Sequence, residues 1–317
     1  MILALSGGVG GAKLAQGLAF ECAVGDLLIV VNTGDDFNYL GFHVSPDLDT
    51  VMYCLAGIND ATRGWGIKDE TWNFMAAAER LGTPTWFKIG DHDLATHVER
   101  TRRLAAGETL SEVTRFLCGR LGVRHRVAPM SDGQVGTIVH TSSGALDFQD
   151  YFVRLRCEPP VTGIEYRGVP AAAPAPEFAT ALWRDDLAAI VMTPSNPLLS
   201  IGPIIGLPNV SERIKEHSAP VIAVSPLVGG QAIKGPAAKI FRELGLDPTA
   251  LGIARHYHGL IDGMVIDEID SGLVDAIERL GIPTHVANTV MRNREDQQLL
   301  ARHVLKFAMS LRKPRNA

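Results

Sequence analysis

The chain has 317 residues, of which 46% are hydrophobic and 21% are charged, and its formal net charge is −5. This length and composition are typical of a globular protein with a substantial core, and they exclude a mini-protein and a disordered chain. The negative charge gives no electrostatic case for nucleic-acid binding. Four separated cysteines without zinc-site spacing predict reduced thiols, and no apolar stretch has membrane-spanning length. We therefore expect a cytoplasmic protein that acts on small molecules.

The chain begins with an apolar run at residues 1–5, followed by the glycine-rich segment SGGVGGAK at residues 6–13. This pattern predicts a strand, a turn and a helix start, where glycines allow close approach to a ligand and the helix start attracts anions. The segment is not the dinucleotide fingerprint GxGxxG, because Lys13 replaces the third glycine, and not a P-loop, because Leu14 follows the lysine. We interpret it as a phosphate loop, with a tight turn that binds no ligand as the alternative.

A second apolar run, at residues 27–31, predicts a strand buried on both faces of a parallel sheet. Two short polar loops follow it, and they carry four carboxylates: Asp35, Asp36, Asp47 and Asp49. Carboxylates placed so closely repel one another unless water or a cation intervenes, and hard oxygen ligands suit Mg²⁺ bridging a diphosphate. We expect one or two of them to contact the metal and the others to cap helices or form turns.

Mainly helical structure is predicted for the next part of the chain. The spacing predicts a helix over residues 68–81 and a short strand at residues 85–89, with Lys88 near its end. The segment GDHDLATH, residues 90–97, then opens another helix. Its acidic and histidine side chains could form a metal cluster, but an Asp before a helix is an ordinary cap, so we favour capping or substrate binding.

Residues 100–121 read as two helices separated near Gly107. The arginines in the first of them, Arg100 included, are predicted to form a solvated helix face. The alternation of apolar and polar residues at 135–141 and 150–156 is typical of strands and predicts an antiparallel insertion.

A proline- and alanine-rich segment at residues 170–176 marks the predicted return of the chain to the core. We expect an α/β protein whose Rossmann-like, mostly parallel sheet is flanked by helices and is built from residues 1–98 and 175–312. Residues 99–174 form an inserted α+β lobe in this prediction. The basic segment 313–317 is predicted to be disordered.

Three further apolar runs, at residues 187–192, 220–225 and 263–267, predict strands of the same sheet. Polar loops follow the first two, and their candidate site residues are Ser195, Asn196, Ser225, Gly229 and Lys234. Because ligands bind beyond the carboxyl ends of parallel strands, these loops suggest a second phosphate or ribose site. A structural turn with a solvated lysine is the alternative for the second loop.

Together these segments resemble a known family, the CofD/FbiA-type 2-phospho-L-lactate transferases of coenzyme F420 biosynthesis. The matching segments are LSGGVGGAKLAQGL, NTGDDFNYLGFHVSPDLDTVMYCLAG, GDHDLATHVERT, MTPSNPLLSIGPI and VSPLVGGQAIKGPAAK. They cover nearly the whole chain, and their combination is far more specific than the glycine-rich segment alone.

The resemblance implies transfer of a phosphorylated three-carbon acid (2-phospholactate, phosphoenolpyruvate or 3-phosphoglycerate) from a guanosine diphosphate-linked donor to Fo, which is 7,8-didemethyl-8-hydroxy-5-deazariboflavin. The terminal ribityl hydroxyl of Fo would accept the group, giving F420-0 or a close analogue and GMP. The resemblance also implies Mg²⁺ and a homodimer. It places Fo contacts at Asp49 and Lys88, to which we add His97.

Phosphoryl-type transfer needs positioning and charge neutralisation more than covalent chemistry, so glycine N–H groups, lysines and carboxylate-held Mg²⁺ suit it. We expect Asp35, Asp36 or Asp49 to hold Mg²⁺. Asp49, together with Asp36, is the expected catalytic group that orients or deprotonates the Fo hydroxyl, while Lys88 anchors Fo. The residues expected to contact the donor nucleotide and its phosphates are Gly10, Gly11, Lys13, Thr33, Ser195, Asn196, Ser225, Gly229 and Lys234.

Two other functions fit part of these features. A related family of nucleotide-binding regulatory proteins shares the glycine loop and the architecture, but the segments PDLDT and GDHDLATH argue against it. An NAD-dependent oxidoreductase needs a complete GxGxxG and an acid at the end of the second strand. Asp35 resembles that acid, but Lys13 breaks the fingerprint, so the transferase is the preferred prediction.

Overall fold

A sheet of parallel strands organises the fold, which a computed structural model describes over residues 1–312. The segment 313–317, for which the sequence predicts disorder, lies outside the described residues. In chain order the strands are β1 (Ile2–Ser6), β2 (Leu27–Val31), β3 (Phe37–Tyr39), β4 (Phe42–Val44), β5 (Arg126–Pro129), β6 (Gly136–Thr141), β7 (Gly144–Asp147), β8 (Val161–Arg167), β9 (Ala189–Met192), β10 (Val221–Val224), β11 (Leu227–Val228), β12 (Gln231–Ala232), β13 (Gly263–Ile266) and β14 (Thr284–Val286).

Helices connect these strands and cover both faces of the sheet. They are α1 (Gly8–Glu21), α2 (Pro46–Ala56), α3 (Asn73–Arg80), α4 (Asp91–Ala105), α5 (Leu110–Arg120), α6 (Pro176–Leu182), α7 (Gly202–Ile205), α8 (Val210–Glu216), α9 (Ala237–Glu243), α10 (Ala250–His256), α11 (Val274–Glu278) and α12 (Arg294–Ser310). Within residues 1–312, none of the helices is long and apolar enough to cross a lipid bilayer.

The central sheet has seven strands in the order β14-β13-β10-β9-β1-β2-β5, and every neighbouring pair is parallel. The apolar runs that predicted these strands are buried along their length, for example all five residues of β2. Alternate side chains point to opposite faces. Leu3 and Leu5 pack under α6 and α8–α11, whereas Ile2 and Ala4 pack under α1, α2, α5 and α12. The predicted α/β fold is confirmed.

The strand order reverses beside β1. The chain moves from β1 to β2 and β5 on one side, and it returns through β9, β10, β13 and β14 on the other side. In open α/β sheets, ligands bind beyond the carboxyl ends of the strands at such a switch point. The residues that follow β1, β2 and β9 at this edge are 7–11, 32–36 and 193–196. A ligand site at the switch point would therefore be formed by these three segments.

The boundaries of the inserted lobe differ from the predicted segment 99–174. Helix α4 runs across residues 98 and 99, and β5 pairs with β2 as an edge strand of the central sheet, with Val127 opposite Ile29. The strands outside that sheet are β6, β7 and β8, which form an antiparallel sheet in the order β7-β6-β8. A four-residue strand with an exposed first residue carries too short an apolar run to indicate membership of the central sheet.

Two predicted strands are wrong. Residues 85–89 have irregular backbone, and Trp86 and Phe87 pack in an aromatic cluster with Tyr39 instead of in a sheet. Residues 150–156 begin with a π-helical turn, Asp150–Arg154. Short alternation of apolar and polar residues therefore did not distinguish a strand from a packed irregular segment. The predicted thiols are confirmed as unpaired, since all four cysteines are free.

Candidate active site

Ser195 joins the two loops that meet at the switch point. Its hydroxyl donates a hydrogen bond to the carbonyl oxygen of Gly7 (2.7 Å) and accepts one from the Gly7 N–H (3.0 Å). The hydroxyl of Thr193 lies 3.0 Å from the same oxygen. Ser195 is buried, so the hydroxyl predicted to contact guanosine is engaged in holding the glycine-rich segment against the loop after β9.

The glycines at the start of α1 are packed against that same loop. A Cβ atom on Gly11 would lie 2.6 Å from Ser6 Oγ and 2.8 Å from Thr193 Oγ1, and one on Gly10 would lie 2.6 Å from the carbonyl oxygen of Pro194. Distances this short are not tolerated, so these two positions require glycine for helix packing. The phosphate contacts of Gly10 and Gly11 stay a prediction, for which the N–H groups at the helix start are suitable donors.

Asp47 ties the glycine-rich segment to the end of β2. Its Oδ1 accepts a hydrogen bond from the N–H of Gly8 (2.7 Å), and its Oδ2 accepts one from Nδ2 of Asn32 (3.0 Å). Gly8 has a φ of 62°, in the left-handed region that favours glycine. One carboxylate in the first turn of α2 therefore fixes the loops that follow β1 and β2.

Asp35 and Asp36 lie after β2 and carry oxygens without partners. Asp36 Oδ2 accepts a hydrogen bond from the hydroxyl of Ser45 (2.7 Å) and lies 3.2 Å from Nε2 of His43, but Oδ1 of Asp36 and Oδ1 of Asp35 are buried without a hydrogen bond. Burial raises the pKa of both carboxyls, and it raises the pKa of Asp47 to about 6. Repulsion from Asp47 raises the pKa of Asp35 further. Buried, crowded carboxylates with unpartnered oxygens fit a divalent cation.

Asp49 belongs to a separate buried cluster. Arg100 donates hydrogen bonds to both of its oxygens, from Nη1 to Oδ2 (3.1 Å) and from Nη2 to Oδ1. His97 lies between two carboxylates, with Nδ1 3.7 Å from Asp49 Oδ2 and Nε2 3.4 Å from Asp93 Oδ2. The hydroxyl of Tyr53 donates to Asp93 Oδ1 (2.7 Å). We call these five residues the Asp49 cluster.

The pair Asp35 and Asp36 differs from the Asp49 cluster in its suitability for a metal. Within residues 1–312, the three potential metal ligands whose ligand atoms all lie within 4.8 Å of one another are Asp49, Asp93 and His97. The predicted set of Asp35, Asp36 and Asp49 does not form such a group. Because Arg100 already neutralises Asp49, Asp35 and Asp36 are the better candidates to bind Mg²⁺.

The prediction of a solvated face for Arg100 is wrong, because this side chain is only 1% exposed. Its pKa lies above the ordinary value because the pairing with Asp49 outweighs the opposing effect of burial. A signal was present in the sequence: Asp93, His97 and Arg100 are spaced four and three residues apart, which places them on one face of α4. The partner on α2 could not be identified from that spacing.

Side chains after β9 and β10 are largely engaged within their own turns. Asn196 Oδ1 accepts hydrogen bonds from the N–H groups of the two leucines 198 and 199, while its buried Nδ2 has no partner. The hydroxyl of Ser225 donates to the carbonyl oxygen of Leu227 (2.9 Å). Gly229 and Gly230 have φ values of 58° and 72° and form the tight turn between β11 and β12. In the loop after β2, the buried hydroxyl of Thr33 has no hydrogen-bond partner.

Two lysines carry positive charge near the start of α1. Nζ of Lys13 donates a hydrogen bond to the carbonyl oxygen of Met291 (2.7 Å), and Nζ of Lys234 donates one to the carbonyl oxygen of Arg63 (3.0 Å). Burial lowers the pKa of Lys13, and the charge of Lys234 lowers it further. Two cations that affect each other in this way form a favourable site for an anion.

Lys88 lies in an irregular segment and lines an open cavity of about 360 Å³. The cavity does not include Asp49 or His97. It adjoins the glycine-rich segment through the 63–64 backbone, because a Cβ on Gly64 would lie 3.2 Å from the side chain of Val9. Its lining residues are Arg63, Trp65, Trp72, Met75, Ala76, Glu79 and Lys88.

The protein is therefore an α/β protein whose strand-end loops meet at a topological switch point, the place where ligands bind in open sheets of this class. The solved structure of a UPF0052-family protein from Bacillus halodurans has the same fold, with a TM-score of 0.62 over 96% of this chain and 98% of that chain. Because the two sequences are only 13% identical, the likeness concerns the fold alone.

The chain belongs to the 2-phospho-L-lactate transferase CofD family, whose family model matches residues 2–302. It is 40% identical to the phosphoenolpyruvate transferase of Streptomyces griseus, covering 98% of this chain and 99% of the relative. It is 38% identical to the 2-phospho-L-lactate transferase of Methanosarcina acetivorans, covering 96% and 98%. The predicted family is confirmed, and the chain is a transferase of that family.

Proposed function

We propose that this protein transfers a phosphorylated three-carbon acid from a guanosine diphosphate-linked donor to the terminal ribityl hydroxyl of Fo in coenzyme F420 biosynthesis. The observation that carries the proposal is the family match over residues 2–302, supported by relatives that this chain covers almost end to end. Those relatives are named for two different acids, phosphoenolpyruvate and 2-phospho-L-lactate, and both are phosphorylated three-carbon acids.

In the proposed reaction the hydroxyl oxygen of Fo forms a bond to the phosphorus that bears the three-carbon acid. The bond from that phosphorus to the oxygen of GMP breaks, GMP leaves with the bonding electrons, and the hydroxyl proton is released to water. Negative charge accumulates on the GMP phosphate, so Lys13, Lys234 and the N–H groups at the start of α1 would stabilise it. The guanosine would extend from the switch point towards the loops after β9 and β10.

Mg²⁺ is part of this proposal as a cofactor. Asp35 and Asp36 would hold it, because each offers a buried carboxylate oxygen without a hydrogen-bond partner. When bound, Mg²⁺ would neutralise charge on the donor diphosphate. Asp47 would keep the surrounding loops in place through its hydrogen bonds to Gly8 and Asn32.

On the acceptor side, we propose that Asp49 accepts a hydrogen bond from the Fo hydroxyl and orients it towards the donor. Lys88 and the two tryptophans of its cavity, Trp65 and Trp72, would bind the deazaflavin ring, since aromatic side chains stack on a planar ring and a nearby cation can pair with its polar oxygens. His97 would contact Fo less directly, because its ring lies between Asp49 and Asp93.

The test is to incubate the purified protein with Fo, Mg²⁺ and one guanylylated acid at a time, using lactate, phosphoenolpyruvate and phosphoglycerate derivatives. The expected products are a phosphodiester-linked deazaflavin and an equal amount of GMP. Binding of Fo or GDP without product from any donor would instead favour a nucleotide-binding regulatory protein. We propose that the protein is a homodimer, as the family resemblance implies, and sedimentation of the same sample tests this.

A further inference from the structure

Arg100 is a charged side chain where an uncharged one is normally found. It is among the largest side chains that are fully buried, with 1% exposure. Burying a guanidinium costs free energy unless its charge is paired and its N–H groups are bonded. Its carboxylate partner, Asp49, lies on another helix, 51 residues earlier in the chain. The pairing is bidentate, which fixes the plane and position of a carboxylate more strictly than a single bond does.

The guanidinium is itself held from a second side. Nη1 of Arg100 lies 3.3 Å from Nδ1 of His97 and 3.5 Å from the carbonyl oxygen of His43. His97 in turn contacts Asp93, whose other oxygen accepts the hydrogen bond from Tyr53. Through these contacts Asp49 is connected to α2, α4 and the middle residue of β4.

Stability alone explains this arrangement poorly. Replacing a buried ion pair with apolar groups is often neutral or stabilising, so such a pair gives weak evidence for a stabilising role. A group that orients a reacting hydroxyl, in contrast, must be held within about 0.5 Å of its productive position. The same helix offers a comparison: Arg103 pairs with Glu99 and Glu108 at the surface and lies over the ring of Phe116.

We propose that Arg100 is the positioning residue for Asp49, holding the carboxylate in the orientation that contacts the acceptor hydroxyl. This inference rests on the proposed function, in which Asp49 is the group that contacts Fo. Arg100 acts through Asp49 and makes no contact with substrate. Its loss should therefore lower kcat per folded enzyme, leave the KM of the donor unchanged, and have little effect once Asp49 is already altered.

The test is a double-mutant cycle with Arg100→Gln, Asp49→Asn and the combined variant, assayed by GMP release. We expect Arg100→Gln to lower kcat by about 10²–10³-fold, the range for loss of one well-placed polar group. Arg100→Lys, which keeps the charge, should recover part of this loss. In the Asp49→Asn background, Arg100→Gln should cost less than about threefold more. Arg103→Gln is the matched control, and its kcat should equal that of the wild type.

Fo binding, followed through the fluorescence of the deazaflavin, separates the possible failures. A wild-type protein that neither binds Fo nor releases GMP would refute the proposed function and this role with it. If the wild type is active and the losses of kcat from Arg100→Gln and Asp49→Asn multiply in the combined variant, the positioning role alone is refuted. Normal kcat per folded molecule in Arg100→Gln would do the same. If Arg100→Gln does not fold, Arg100→Lys, Asp49→Asn and the combination of these two substitutions form the cycle instead, with the same expectation of little further loss in the Asp49→Asn background.

Discussion

The packing of α1 against the loop after β9 depends on the absence of a side chain at Gly11. In Gly11→Ala, the new methyl group would lie 2.6 Å from Ser6 Oγ and 2.8 Å from Thr193 Oγ1. It would also approach Ser195 Oγ, the atom that bonds to Gly7. Overpacking of a buried position costs about 1–3 kcal/mol, and a weakened hydrogen bond adds about 0.5–1.5 kcal/mol.

Alanine is the better helix former by about 1 kcal/mol, which offsets part of that cost. The net expectation is a loss of about 2 kcal/mol. With an unfolding entropy of about 2.1 cal/mol/K per residue, this corresponds to a drop in Tm of about 3 °C for a chain of this length. Thermal unfolding followed by circular dichroism measures the shift.

Gly119→Ala is the matched control. This glycine lies in α5, is exposed, and has no atom within 4 Å of the position where a Cβ would stand. The same substitution should therefore stabilise the protein by about 0.5–1 kcal/mol. A Gly11→Ala protein that melts at or above the wild-type temperature would refute the packing role of Gly11.

Two further predictions concern the metal and the acceptor. In EDTA at pH 8, Asp35→Asn should raise Tm. Because burial raises the pKa of Asp35, the folded wild-type protein holds this proton better than the unfolded chain does. The wild type therefore loses stability as the pH rises above the ordinary pKa of Asp, and the uncharged Asn avoids that loss. The gain in Tm from Asp35→Asn should shrink towards pH 4. Mg²⁺ should raise the Tm of the wild type but not of the variant. A variant that is less stable than the wild type at pH 8 in EDTA would contradict the argument from burial. Lys88→Met should raise the KM for Fo about tenfold at unchanged donor KM, with the exposed Lys68→Met as control; an equal rise in donor KM would count against an acceptor role.

Much of the fold could be predicted because the central strands are continuous apolar runs. Residues 27–31 and 187–192 are too uniformly apolar to be surface segments. Once these strands are taken as parallel, the loops after them must lie at the same edge of the sheet. Strand β5 could not be recognised in this way, because its assignment depends on pairing with β2 across almost 100 residues of sequence. Local pattern contains no information on such a pairing.

The candidate site was predicted as a set of residues more successfully than as a geometry. Four early aspartates were identified, but whether they form one group or two depends on which way Asp47 and Asp49 face from the first turn of α2 and on Arg100 from α4. Ser195 was identified for its position after a strand. Its partner, Gly7, lies 188 residues away, so its bonds to the glycine-rich segment could not be inferred from the sequence.

The distance in sequence between Gly7 and Ser195 also has a consequence for synthesis. Strand β1 is made first, yet one of its edges pairs with β9, and the turn after it is held by Ser195, 188 residues later. At about 5–20 residues per second, a ribosome needs about 10–40 s to cover that interval. During this time the nascent chain exposes an unpaired apolar strand, which is a hazard for aggregation. Folding of this protein in the cell should therefore depend on chaperones that bind the early half of the chain until its later half emerges.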